Sequence, residues 1–261
     1  MNMSMIELIP AFLLVFVRIT AFYVTVPLFS YRTVPAIHKI GFAFFLALVS
    51  FSTIEKPPHL DVDGFYMLLV MKEALVGLLL GLIAYMMLSA VQIAGSFIDF
   101  QMGFAVANII DPQTGAQSPL VGQFLYTMAL LLMLSLNAHH LLLDGIYYSY
   151  QYIPVDHLGL SFGNAQFAEF IAKSFNTMFI TAFQLSAPVV ASLFLVDLAL
   201  GIVARTVPQL NVFVVGLPLK IAVTFIMLII CMAVMFSMMQ NVFEFAVRTM
   251  RDLLTLLGVA R

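Results

Sequence analysis

The sequence predicts an all-α integral membrane protein of about six long hydrophobic helices with broken or re-entrant segments. Three observations carry this. Hydrophobic residues fill 63% of the 261 positions and charged residues only 9%, against about 25% charged in soluble domains. Mean hydropathy is +1.08. Six apolar stretches, at 8–30, 37–54, 65–90, 120–137, 174–203 and 213–240, reach or approach the roughly 20 residues a spanning helix needs. The net charge of -2 gives no argument for nucleic acid. The single cysteine, Cys231, lies in an apolar run and has no internal disulfide partner. Trp is absent, so an interfacial aromatic belt would rely on Tyr.

The first stretch has no basic residue before it and no small-residue cleavage site after it, so a retained span is expected rather than a signal peptide. It contains Arg18 among Phe12, Leu13, Phe16, Ile19 and Phe22. A charge at that depth faces protein or a watery cavity, not lipid. Two readings stand: a structural arginine paired with carbonyls, or a role at a subunit contact or pore. The following loop, with Arg32, His38 and Lys39, is basic and reads as cytoplasmic. The second stretch is short and ends in a Pro-rich acidic loop, EKPPHLDVD. The third opens with Lys72 and Glu73. Adjacent helical residues do not face each other, so each needs another partner. Gly77 and Gly81 have the small-xxx-small spacing that permits close helix approach.

Residues 99–119, DFQMGFAVANIIDPQTGAQSP, are too polar and too interrupted by Gly and Pro to continue a regular helix. Phe100, Met102, Phe104, Val106, Ile109 and Ile110 nevertheless make them too apolar for a solvated linker. Irregular backbone at membrane depth is tolerated where it is buried in protein or lines a cavity. This is the first candidate for a functional element.

The fourth stretch runs into LNAHHLLLDGIYYSY. His139 and His140 are adjacent, so on a helix they point about 100° apart and make a poor metal pair. With Tyr147, Tyr148, Tyr150 and Tyr152 they read as interfacial anchors. The fifth stretch contains Pro188, expected to kink or break it, and Asp197, a candidate buried charge. Residues 204–220, ARTVPQLNVFVVGLPLK, join it to the sixth so tightly that an antiparallel hairpin must form. Arg205, Pro208, Gln209, Asn211, Gly216 and Pro218 mark that turn. The tail from 241 sets Leu253, Leu254, Leu256 and Leu257 against Arg248, Arg251 and Asp252, a basic amphipathic helix suited to a membrane surface or a partner.

Charge does not give a consistent topology. Six plain crossings place the termini opposite the 31–39 and 204–220 loops, yet the tail and both loops are basic. A re-entrant segment would reconcile them. An enzyme finds little support: no phosphate-binding loop, HExxH or nucleophile elbow occurs. No metal or other cofactor is implied. Asp144 and Asp197 lack the surroundings of a membrane protease. A small secondary transporter competes better, with broken helices and buried charges, but internal repeat symmetry is absent.

Four segments in order carry a resemblance: PLFSYRTVPAIHKIGFAFFLAL, QMGFAVANIIDP with the following QSP, LNAHHLLL, and ARTVPQLNVFVVGLPLK. Together they resemble the FliR family of type III secretion export-gate subunits. The resemblance covers essentially the whole chain. It implies a non-enzymatic subunit that assembles with FliP and FliQ into a gate, joined by FlhB and FlhA. The gate would sit in the bacterial inner (cytoplasmic) membrane, within the flagellar basal body, and pass unfolded flagellar proteins. It implies a FliP-like part at 1–173, a FliQ-like hairpin at 174–240 and a basic tail at 241–261. It also implies that the loop at 103–119 is a channel plug, through Gly103, Phe104, Val106, Ile109, Ile110, Asp111 and Pro112. The hairpin residues would serve assembly, and Arg18 and Asp197 are the intramembrane charges left to place.

Overall fold

In the computed structural model, residues 5–30, 34–54, 60, 62–104, 119–159, 165–209 and 211–258 are described. Seven helices occupy them: α1 (Met5–Thr25), α2 (Ala36–Thr53), α3 (Gly64–Met102), α4 (Leu120–Ser135), α5 (Ala138–Tyr152), α6 (Ala165–Thr206) and α7 (Val212–Leu257). Five are long and apolar enough to cross a membrane, and α4 with α5, bent by 74°, make a possible sixth span. The all-α membrane class therefore holds.

Three helices outrun a bilayer. At 39, 42 and 46 residues, α3, α6 and α7 are about 58, 63 and 69 Å long at 1.5 Å per residue. A hydrocarbon core is about 30 Å thick. A count that treats each apolar run as one simple crossing does not describe such helices. The runs at 174–203 and 213–240 are only the apolar centres of α6 and α7. Pro188 does not break α6, which is continuous through it.

The chain divides into two compact units, Met1–Met87 with Leu136–Ser174 and Glu244–Arg261, and Leu88–Ser135 with Phe175–Phe243. In the first unit Leu14, Ile19 and Phe22 of α1 and Leu69, Val76 and Leu80 of α3 are fully buried. A Cβ built at Gly77 would collide with the Arg18 carbonyl, and one at Gly81 with Thr25 Oγ1. The small-xxx-small spacing is thus a real contact of backbone against backbone. α2 buries only Ala43, Ala47 and Ser50, a narrow stripe at helical spacing. Phe44 meets Phe12 edge-on at 5.6 Å and Phe16 at 6.2 Å.

The α4–α5 bend turns at Asn137, whose φ of 55° is a left-handed conformation that Asn tolerates. α5 then buries Leu142, Ile146, Ser149 and Tyr150 on one face. The tail expected on a membrane surface or a partner instead continues α7, and Met250, Leu253, Leu254 and Leu257 are buried within the chain. A Cβ at Gly145 would come 2.7 Å from Met250 Cε, which places the end of α7 against α5.

In the second unit Leu88, Val91, Ile98 and Met102 of α3 are buried, as are Val121, Leu125, Ala129 and Met133 of α4. Gly95 and Gly122 touch backbone to backbone, since a Cβ at Gly95 would strike Gly122. The hairpin of α6 and α7 is antiparallel. Leu200 lies against Gly216, and three residues back Asp197 pairs with Lys220, four residues on.

Candidate functional site

Two polar clusters stand out from this apolar chain. In the first unit, Arg18 is fully buried. Its Nε donates to Glu73 Oε2 and its Nη2 to Oε1 at 2.8 Å, the bidentate fork geometry that suits a guanidinium. Nη1 donates to Ser149 Oγ at 2.9 Å, and Nη2 also to the Ile153 carbonyl at 2.8 Å. Its carbon Cζ sits 4.2 Å from the centre of the Tyr150 ring, a cation–π contact. Lys72 Nζ lies 2.6 Å from Glu73 Oε1. It also donates to the carbonyls of Pro154 (2.7 Å), Val155 (3.3 Å) and His157 (3.1 Å). Each of the two adjacent charges has the other partner expected of it, Glu73 in Arg18 and Lys72 in three carbonyls, and the long lysine stem also folds back to the carboxylate. Two cations meet one carboxylate here. The remaining positive charge is met by carbonyls at and beyond the C-terminus of α5, the negative end of that helix. Arg18 is therefore paired within the chain with both a carboxylate and a carbonyl.

The second cluster lies around the end of α3 in the second unit. Asp99 is buried, and its carboxylate accepts the N–H groups of Val121 (3.0 Å) and Gly122 (3.1 Å). These are among the free donors at the start of α4, so Asp99 caps that helix from another one. Two residues on, Gln101 Nε2 donates to Asp197 Oδ2 at 2.9 Å. Asp197 in turn pairs with Lys220, whose Nζ also donates to the Gln101 carbonyl at 3.4 Å. Asp197 is not deeply buried: its side chain is 36% exposed and that of Lys220 19%. Gly103, at φ 95°, ends α3 in a conformation that favours glycine. A Cβ there would lie 3.3 Å from Leu217 Cδ1, one helical turn before Lys220.

Of the expected plug residues, Gly103 and Phe104 are described, and Val106, Ile109, Ile110, Asp111 and Pro112 lie outside the described residues. The flank Asp99–Met102, read as irregular, is the last turn of α3. Around the hairpin, Arg205 sits in the last turn of α6, and Pro208 and Gln209 lie in the turn. Asn211 Oδ1 accepts the Phe213 N–H at 3.1 Å and so caps α7. Gly216 and Pro218, expected at the turn's far end, lie inside α7, which starts at Val212. His139 and His140, expected to diverge, bring their ring centroids within 4.2 Å. Lys220 was not singled out from sequence. The available signal was a lone charge inside the last apolar stretch.

Residues 9–246 match the model of the family described as bacterial export proteins, family 1. The chain belongs to that family. It is 75% identical over 257 residues to the flagellar biosynthetic protein FliR of Bacillus subtilis (strain 168), covering 98% of this chain and 99% of that one. It is 32% identical over 224 residues to the Yop proteins translocation protein T of Yersinia pestis, covering 84% of each. It is also 28% identical over 241 residues to FliR of Escherichia coli (strain K12), covering 91% of this chain and 90% of that one. This family member is a membrane component of bacterial export and not an enzyme. The resemblance to the FliR family read from four short segments extends to nearly the full length.

Proposed function

We propose that this chain is a subunit of the flagellar type III protein export gate, in the bacterial cytoplasmic membrane at the flagellar basal body. It would form with FliP and FliQ the channel through which unfolded flagellar proteins leave, with FlhB and FlhA alongside. The observation that carries this reading is the near full-length identity of 75% to FliR. Exposure patterns support a multi-subunit setting. Only 17% of the most apolar windows of α2, α6 and α7 are buried, against 61% in α3. Helices of 42 and 46 residues have more such surface than one bilayer crossing covers. Neighbouring subunits supply the remaining cover. The division into a FliP-like part (1–173), a FliQ-like hairpin (174–240) and a tail (241–261) belongs to the same reading.

Within it, the loop at 103–119 closes the resting channel. Apolar side chains at a constriction exclude water, and ions with it. The described ends of the loop support this, since Asp99 fixes the start of α4 and Gln101 is tied to the hairpin. Co-purification tests the subunit assignment: the chain should elute in a large assembly with FliP and FliQ. Elution alone with a bound small solute would favour a secondary transporter instead. Deleting residues 106–110 tests the plug. The assembled complex should then leak ions at rest, and an unchanged resting conductance would defeat the idea.

A further inference from the structure

Apart from the two polar clusters, the first unit holds a cleft between α5 and the last turns of α7. Its volume is about 290 Å³, the small end of the roughly 300–1,000 Å³ typical of ligand sites. α5 lines it with Asp144, Tyr148, Gln151 and Tyr152, which share one face at helical spacing. α7 adds Arg251. Leu141, Val247 and Leu254 give the rest of the wall an apolar character. Close packing fixes the two sides of the cleft. Met250 Cε lies against Gly145, and a Cβ at Gly258 would come 2.9 Å from the Tyr152 carbonyl.

The two charges define what the cleft takes. Asp144 and Arg251 line the same space and are exposed. Among the described residues, neither side chain makes an ion pair or a hydrogen bond. A ligand with one anionic and one cationic group satisfies both. The Arg251 fork matches two oxygens of a phosphate. The Asp144 carboxylate accepts N–H groups from a primary ammonium, whereas a quaternary ammonium has none to donate. Tyr148, Gln151 and Tyr152 add neutral donors for the remaining phosphate oxygens. Leu141 is 45% exposed, so apolar surface runs outward from the cleft. Tyrosines beside such surface suit the headgroup level of a bilayer.

We propose that this cleft binds the headgroup of a zwitterionic phospholipid with a primary amine, the phosphoethanolamine class. Arg251 holds the phosphate, Asp144 holds the ammonium, and the acyl chains lie along the apolar surface beyond Leu141. The site ties the end of α7 to the membrane through a lipid rather than through an inserted side chain.

The chain, purified in the assembly in which it elutes, is stripped of lipid in an uncharged detergent. It is then titrated with phosphatidylethanolamine, phosphatidylcholine or phosphatidylglycerol in mixed micelles. Hydrogen exchange across residues 141–152 and 247–254 reads occupancy. Phosphatidylethanolamine should slow exchange in both segments, and the other two lipids should bind roughly tenfold more weakly, the scale of one charge-assisted hydrogen bond. Arg251→Gln should weaken phosphatidylethanolamine about tenfold. Asp144→Asn should weaken it too and abolish its advantage over phosphatidylglycerol. Melting in lipid-free detergent should match the wild type in both variants. Should either variant fail to fold, the ranking of the three lipids on the wild type still decides. Equal binding of the three lipids, or protection only elsewhere in the chain, would overturn the proposal. So would exchange already slow at 141–152 without lipid and unmoved by it, because a neighbouring subunit would then fill the cleft. Soluble glycerophosphoethanolamine separates the two sources of the headgroup. Protection at the same concentration as the lipid would overturn a lipid site in favour of a soluble phosphodiester, and weaker protection supports the lipid.

Discussion

Glu73→Gln should damage this protein more than Arg18→Met, although the two residues form one ion pair. Arg18 and Glu73 are both 0% exposed, and Lys72 is 3% exposed. Removing one partner of a buried pair costs about 3–5 kcal/mol, because the other charge is left uncompensated. For Glu73→Gln that range is the floor, since Arg18 and Lys72 both lose the carboxylate that pairs with each of them. For Arg18→Met the balance differs. Four hydrogen bonds disappear, but Lys72 and Glu73 remain as a neutral pair at 2.6 Å. Methionine refills part of the volume, so the loss should be about 2–3 kcal/mol. Arg18→Met combined with Glu73→Gln should then be milder than Glu73→Gln alone, by about 1 kcal/mol or more. The single cysteine, Cys231, is half-buried and gives a direct assay. Its labelling by a thiol-reactive dye during heating reports unfolding of the detergent-solubilised chain. Membrane accumulation of each variant gives the cellular counterpart. A melting temperature for Arg18→Met at or below that of Glu73→Gln would refute the charge-counting argument, as would additive losses in the double variant.

Two further outcomes follow from close contacts. Gly77→Val should prevent α1 and α3 from docking, because even a Cβ there meets the Arg18 carbonyl; the cost should be several kcal/mol, read as lost accumulation, and a wild-type level would contradict the contact. Asp99→Ala should remove the cap on α4 and cost about 1 kcal/mol. Hydrogen exchange at Val121 and Gly122 should rise locally, and protection unchanged at those amides would show that the cap contributes nothing.

The sequence announces helices well where side chains repeat on one apolar theme, and poorly where they mix. The runs at 174–203 and 213–240 locate α6 and α7, but their polar ends hide 165–173 and 241–257. α5 carries His139, His140, Asp144, Gln151 and four tyrosines, so no apolar run marks it. Its buried face, Leu142, Ile146, Ser149 and Tyr150, shows helical spacing that hydropathy averaging blurs. Arg18 is visible as a charge in a span, but its partners are not. Glu73 is 55 residues away and Ser149 is 131 residues away, and only the packing of α1, α3 and α5 brings them together. Asp99 shows the same limit. From sequence it reads as the flank of a loop, and its use as a cap depends on the first turn of α4 lying beside it, with Val121 22 residues later.

The two ion pairs show how burial alone assigns different duties to like chemistry. Arg18 and Glu73 have no exposed side-chain surface, so water cannot stabilise either charge during a separation. That cost is paid at every opening, and the pair must stay closed for as long as the fold persists. Asp197 and Lys220 are 36% and 19% exposed. Separated, each charge recovers hydration, and a pair of that kind contributes on the order of 1 kcal/mol or less. Such a pair opens on thermal energy at a frequency that a small bias can shift. Arg18 binds α1, α3 and α5 through groups that never meet solvent, while Lys220 and Asp197 hold the end of α3 through groups that do. Neutralising Lys220 should therefore cost far less stability than neutralising Glu73, and equal losses in melting temperature would refute the comparison.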